Sequence, residues 1–280
     1  MPVSAQAIRH EYLRHNKKFP HVWCPGCGNG IVMAALLRAI YRIGLNKDEV
    51  VLASGIGCSG RMPTYLDFNT LHATHGRALT FATGVKLANP ALHVVVIMGD
   101  GDATAMGGNH FIHAARRNLN LTAIIINNSI YGMTGGQYSP TTPFGAQSTT
   151  SVYGHIEHAF SIAELAMTAG AAFVARSTVY HAELLDNLIE LGIQKQGFSV
   201  IEVISNCHVQ YGRRNQLGDA VEMLKGFKKD TVTVARAAKL SPEELEGTAT
   251  IGVLADRQLP ISTEEYEKVR QRAGKGKGKV

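Results

Sequence analysis

Leu92-His93-Val94-Val95-Val96-Ile97-Met98-Gly99-Asp100-Gly101-Asp102 decides the fold of this chain: an apolar run of strand length breaks off into alternating glycine and aspartate. A run this short and apolar on both faces reads as a strand buried inside a parallel sheet, not as a membrane span. The same pattern returns at Leu121-Thr122-Ala123-Ile124-Ile125-Ile126-Asn127-Asn128, with a helical stretch over 107–118 between the two. Two buried strands joined by one helix make a strand-helix-strand unit. Outward from it the rhythm continues on both sides. Helices are predicted over 31–43, 77–88, 161–170 and 181–195, and strands over 50–54, 172–175 and 198–205. The expected fold class is α/β: an open, mostly parallel sheet with helices on both faces, plus a C-terminal extension. Its predicted parts are an N-terminal extension at 1–20, the main domain at 21–215, the extension at 216–272 and a flexible basic tail at 273–280.

Composition narrows the function classes. In 280 residues, 45% are hydrophobic and 18% charged, enough for a substantial core. Net charge is +6, but Lys275, Lys277 and Lys279 supply half of it from a glycine-rich tail, which reads as a frayed solubilising end or an arm for an acidic partner. No basic stripe interleaved with aromatics supports nucleic-acid binding, and no apolar run is long enough for a membrane. Residues 1–18 contain no secretory apolar region, so the expected compartment is the reducing cytoplasm. There, four cysteines read as metal ligands before disulfides.

In a parallel sheet, ligands sit beyond the carboxyl ends of the strands. The candidate residues gather there. Cys58 follows the strand at 50–54, Asp100 and Asn128 follow the two founding strands, and Cys207 follows the strand at 198–205. Cys24 and Cys27 precede the helix at 31–43, which starts on the same edge. Asp100 and Asn128 are 28 residues apart, one strand-helix-strand repeat, so both side chains can meet one ion. A carboxylate, an amide oxygen and a nearby carbonyl suit Mg²⁺ holding a diphosphate, with Gly99, Gly101 and Asp102 letting the backbone approach the phosphates. The four cysteines fit either one cubic iron-sulfur cluster or a structural zinc.

The motifs Cys24-Pro25-Gly26-Cys27-Gly28, Gly55-Ile56-Gly57-Cys58-Ser59-Gly60-Arg61, His75-Gly76-Arg77-Ala78, Ala82-Thr83-Gly84-Val85-Lys86-Leu87-Ala88-Asn89-Pro90, Gly99-Asp100-Gly101-Asp102 and Asn128-Ser129-Ile130-Tyr131-Gly132-Met133-Thr134-Gly135-Gly136-Gln137 come in a telling order. That order resembles β subunits of 2-oxoacid:ferredoxin oxidoreductases, over about residues 20–215. The stretch 131–143, ending Tyr138-Ser139-Pro140-Thr141-Thr142-Pro143, is most similar to the 2-oxoglutarate branch.

The resemblance implies a thiamine diphosphate-binding fold, with Mg²⁺ on Asp100, Asn128 and the Ile130 carbonyl. Thiamine diphosphate would lie against Ile56, Gly57, Cys58, Ser59, His75, Gly101, Asp102, Gly132, Met133 and Thr134. It favours a [4Fe-4S] cluster on Cys24, Cys27, Cys58 and Cys207 over zinc, since low-potential electrons need an exit. It implies CoA-dependent oxidative decarboxylation of 2-oxoglutarate to succinyl-CoA with electrons to ferredoxin, or the reverse, and an α subunit that supplies the activating glutamate in an (αβ)₂ assembly. Glu157, Glu164 and Glu202 are expected to be structural. Arg61 is a candidate contact for the second carboxylate, or an ion-pair partner of Asp67 or of an α-subunit acid; Met133 is a candidate pocket wall or a packing residue. Rival readings are a pyruvate or branched-chain enzyme, a non-redox thiamine enzyme and a zinc-stapled scaffold.

Overall fold

The computed structural model describes residues 5–16 and 20–276. In chain order they form α1 (Ala5–Tyr12), α2 (Asn29–Ile43), β1 (Val50–Ser54), β2 (Asn69–His72), α3 (Ala78–Ala88), β3 (His93–Gly99), α4 (Gly108–Arg116), β4 (Thr122–Asn127), β5 (Ile130–Tyr131), β6 (Gln137–Tyr138), α5 (Ile162–Thr168), β7 (Phe173–Thr178), α6 (Ala182–Gln194), β8 (Ser199–Ile204), α7 (Ala220–Lys229), β9 (Thr231–Thr233), α8 (Val234–Ala237), α9 (Pro242–Leu245), β10 (Ala249–Asp256) and α10 (Ser262–Gly276). One sheet runs β2-β1-β3-β4-β8-β7-β10-β9. Its first six strands are mutually parallel, and β10 adds antiparallel to β7.

Period-two alternation sends the strand side chains into two separate cores. Leu52, Val95, Ile97, Ile124 and Ile126 face one side with Leu36, Ile40, Leu185 and Ile189 from α2 and α6. Ala53, Val96, Met98 and Ile125 face the other with Leu79, Phe111 and Ile162 from α3, α4 and α5. Both faces are therefore covered, which is why the central strands read as unbroken apolar runs. Glu202 is the exception inside β8. It is buried, and it accepts from Arg176 Nε (2.8 Å), Asn127 Nδ2 (2.9 Å) and the Ala163 amide (3.2 Å), a structural ion pair across the β7–β8 register.

Three departures from expectation have clear causes. The predicted helix over 107–118 is preceded by a π-helical turn, Asp102–Met106, and α4 stops at Arg116. Asn118 ends it with φ of +46°, its amide accepting from the Phe198 N–H at 2.7 Å. The extension at 216–272 contributes β9 and β10 to the main sheet, where half-exposed edge positions leave only a weak apolar pattern. A capping box forms at Ser241, whose hydroxyl accepts from the Glu244 amide while the Glu244 carboxylate accepts from the Ser241 amide. α10 continues through Gly274, Lys275 and Gly276 with Lys268–Glu265 and Arg270–Glu267 pairs, so that part of the predicted tail is helical; residues 277–280 lie outside the described residues. Among the described residues no helix is long and apolar enough to cross a membrane.

Candidate active site

The carboxyl edge of the sheet carries two clefts that share a wall. The first is lined by every position expected to face the cofactor: the loop from Ile56 to Ser59 after β1, His75 before α3, Gly99 to Asp102 after β3, and Asn128, Ile130 and Gly132 to Thr134 after β4. The second is lined by Cys24, Cys27, Cys58 and Cys207, with Trp23, Asn206 and His208. Cys58, Asn128, Gly132 and Met133 border both.

Asp100 is buried, and its Oδ2 accepts from Ser139 Oγ (2.5 Å) and Thr141 Oγ1 (2.7 Å). Burial pushes its carboxyl pKa up, and those two hydroxyls pull it back toward the ionised form. One atom of the Asn128 amide lies 2.7 Å from the Ile130 carbonyl oxygen and 3.3 Å from Asp100 Oδ1. With nitrogen there, the amide bridges two acceptors; with oxygen there, three oxygens converge on one point. That donor set fits a hard divalent cation such as Mg²⁺, and turning one amide converts the first state into the second.

Asp102 turns away from this point. Its Oδ1 accepts from His75 Nδ1 (2.5 Å), the Gly76 amide (2.7 Å) and the Ile56 amide (3.3 Å), tying three loops together at the base of the cleft. His75 thus bonds Asp102 instead of capping α3, whose N-cap is Arg77, and its Nε2 is the ring nitrogen left for a ligand. Asp102 Oδ2 and Asn29 Oδ1 are buried without partners beside the same cleft, as polar atoms awaiting a ligand would be. The glycine at 101 has a reason the sequence did not disclose: a Cβ there would meet the Tyr131 ring at 2.3 Å. Burial raises the Tyr131 phenol to about 12, with Asp100 and Asp102 adding to the shift. Among the described residues lining this cleft the only carboxylates are Asp100 and Asp102, both engaged as above.

The cysteine loops are fastened to one another by groups other than sulfur. Trp23 Nε1 donates to the Cys58 carbonyl at 2.7 Å, and Asn206 Nδ2 donates to the Gly26 carbonyl at 3.0 Å. Burial pushes the Cys27 thiol up to about 11 and the Cys58 thiol up to about 12, with neighbouring cysteines adding to both shifts. The Cys207 thiol is raised too, again chiefly by burial. A Cβ on Gly132 would stand 3.3 Å from Cys207 Sγ and 3.8 Å from Cys58 Sγ, so the glycine lets the shared wall be thin. Among the described residues, no group of three or more His, Cys, Asp or Glu side chains is gathered tightly enough for a single metal ion.

One expected side chain stands apart. Arg61 is exposed, lies outside the lining of both clefts and makes no ion pair among the described residues. Asp67, its alternative partner, is taken by Lys47 at 2.6 Å. Met133 is 46% exposed, on the shared wall. Sequence reasoning missed the roles of Ser139, Thr141 and Trp23; the hydroxyl-proline-hydroxyl pattern at 139–141 was the available signal for the first two.

Residues 55–203 match the family described as thiamine pyrophosphate enzyme, C-terminal TPP binding domain. The chain is 48% identical over 266 residues to the 2-oxoglutarate synthase subunit KorB of Methanothermobacter marburgensis, covering 95% of this chain and 93% of that one. It is 50% identical over 269 residues to the protein of the same description from Archaeoglobus fulgidus, covering 96% and 97%. The solved 2-oxoglutarate:ferredoxin oxidoreductase from Magnetococcus marinus, with 2-oxoglutarate, coenzyme A and succinyl-CoA bound, superposes with a TM-score of 0.85 at 30% identity, over 98% of this chain and 91% of that chain. With the thiamine-type cleft and this similarity along nearly its whole length, the chain belongs to the β subunits of the 2-oxoacid:ferredoxin oxidoreductases, thiamine-dependent oxidoreductases, and within them is most like the 2-oxoglutarate branch.

Proposed function

We propose that this chain binds thiamine diphosphate and Mg²⁺ in the first cleft and one [4Fe-4S] cluster in the second. With an α subunit it interconverts 2-oxoglutarate plus coenzyme A and succinyl-CoA plus CO₂, exchanging electrons with ferredoxin. The observation that carries this reading is the wall common to both clefts, formed by Cys58, Asn128, Gly132 and Met133. When bound, thiamine diphosphate supplies the carbon nucleophile for decarboxylating a 2-oxoacid, and the cluster supplies a one-electron relay.

The chain's own residues bind and orient. Asp100 Oδ1, the Asn128 amide oxygen and the Ile130 carbonyl would hold the cation; His75 Nε2 would be available to the diphosphate; Met133 would form part of the pocket wall. Cys24, Cys27, Cys58 and Cys207 ligate the cluster. Four thiols around one cavity, beside a cleft of the thiamine-binding type, support a cube as an electron exit over a structural zinc. By likeness to the family, the glutamate that activates the aminopyrimidine would come from the α subunit, leaving the chain alone inactive; among the described residues the first cleft is lined by two aspartates and no glutamate.

The test is anaerobic assay of the α/β complex for ferredoxin reduction. Reduction that needs both 2-oxoglutarate and coenzyme A, and that exceeds reduction with pyruvate, is expected. Preference for pyruvate would assign the rival branch. Decarboxylation without ferredoxin reduction would mark a non-redox thiamine enzyme.

A further inference from the structure

We propose that the turn Ser139-Pro140-Thr141-Thr142 is a clamp that positions both halves of the cation site, a role that rests on the Mg²⁺ reading above and goes beyond it. Its three hydroxyl residues are each at least nine-tenths buried, although they lie in a connection between β6 and α5 whose later part is largely exposed. Buried hydroxyls in a loop need partners, and these have specific ones. Ser139 Oγ and Thr141 Oγ1 both donate to the same oxygen, Asp100 Oδ2. With Oδ2 doubly occupied, Oδ1 alone is left to face Asn128 and Ile130, which fixes the carboxylate as a one-oxygen ligand.

The third hydroxyl works on the other half. Thr142 Oγ1 donates to the Ser129 carbonyl at 2.6 Å and accepts from the Ser139 N–H at 2.9 Å. Ser129 sits between the two remaining ligands, Asn128 and Ile130, with φ of +60°, a left-handed conformation that a serine holds at some cost. The Asn127 side chain accepts from the Ser129 N–H at 3.2 Å, so this residue is gripped on both its carbonyl and its amide. The turn itself is closed by the Thr142 N–H on the Ser139 carbonyl at 3.0 Å, and Pro140 stiffens it. One buried turn therefore spans Asp100 on the β3 end and Ser129 on the β4 end.

The experiment uses the α/β complex and Mn²⁺ as the cation probe, with the free ion followed by electron paramagnetic resonance while thiamine diphosphate is held constant. Thr141→Val and Ser139→Ala each weaken Mn²⁺ binding by about ten- to a hundredfold, the worth of a hydrogen bond to a charged group. Thr141→Ser, which keeps the hydroxyl, binds like the parent. Thr142→Val weakens binding as well, by releasing Ser129. Iron content, measured on the same samples, stays at the parental level for the Thr141 variants, and Mn²⁺ binding is read well below each variant's own folding transition. Parental Mn²⁺ affinity in both Thr141→Val and Ser139→Ala overturns the clamp. A parent complex that takes up no Mn²⁺ with thiamine diphosphate overturns the clamp together with the cation reading beneath it.

Discussion

The two clefts on the carboxyl edge are prepared in opposite ways. In the cation cleft the acceptors are already fixed: Asp100 Oδ2 holds two hydroxyls, and Asp102 Oδ1 holds a histidine and two amides. In the cysteine cleft the backbones are tied, by Trp23 and Asn206, but the Cys27, Cys58 and Cys207 thiols are partly buried groups whose pKa values that burial raises, and Cys24 is exposed. A preorganised cleft can exchange its ligand with little rearrangement, whereas thiolates form there only as a metal cluster supplies the compensating positive charge. On the proposed reading, the first site is built by folding and the second would be finished by its metal.

The strongest way to break this contrast is Cys58→Ser. We expect loss of the cluster and of all ferredoxin reduction, with Mg²⁺-dependent thiamine diphosphate binding retained; iron analysis and calorimetry on one preparation decide it. Simultaneous loss of thiamine binding would mean that the cleft is not prepared independently.

Next in size is Asp102→Ala, which leaves the Ile56 and Gly76 amides and the His75 ring without their acceptor. Loss of about 3 kcal/mol of folding stability is expected in denaturant titrations, from hydrogen bonds to a charged group that become unmade. A change near zero would remove Asp102 as the base of the cleft.

The thiols sharpen the comparison through pH. A folded-state pKa raised above the unfolded value means that the folded chain binds more protons, so the contribution is whole at lower pH and declines with rising pH. For Cys27 the window runs from the ordinary 9.0 to about 11, and for Cys58 from 9.0 to about 12. The cluster-free chain should therefore lose stability across that range more steeply than its Cys27→Ala/Cys58→Ala variant. Parallel curves would contradict neutral burial of the thiols.

Gly132→Ala tests the wall itself. A methyl group 3.3 Å from Cys207 Sγ asks that sulfur to give by a few tenths of an ångström, which a sulfur held in a cluster would resist, so cluster content and thiamine diphosphate affinity should both fall, by about two- to tenfold. The smallest effect expected is that of Arg61→Ala, a rise in KM for 2-oxoglutarate without one for pyruvate. Equal changes for both acids would remove Arg61 from substrate contact, as its exposed position outside both clefts makes it the least constrained assignment.

Much of this architecture was legible in the sequence because the informative residues are local. A strand buried on both faces announces itself, so β1, β3, β4 and β8 fall within a residue of their predicted ends. Parallel topology then gathers their carboxyl-end loops whatever the details of packing. The missed parts are those whose meaning depends on distant partners. Ser139 and Thr141 are ordinary hydroxyl residues until the fold brings them to Asp100, and Asp102 reads like a phosphate-loop residue until its three donors are seen. β9, at the sheet edge, and β10 beside it were missed because strands whose positions are largely half-exposed carry little apolar signal.

The central claim is that the thiamine cleft and the cysteine cleft form one electron path across their common wall. Adding 2-oxoglutarate anaerobically to the Mg²⁺- and thiamine-loaded α/β complex, with ferredoxin withheld, should bleach the cluster's visible absorbance. The bleaching should vanish in Asp100→Asn while iron is retained. A complex with full iron and thiamine that decarboxylates 2-oxoglutarate yet leaves its cluster oxidised would contradict the account.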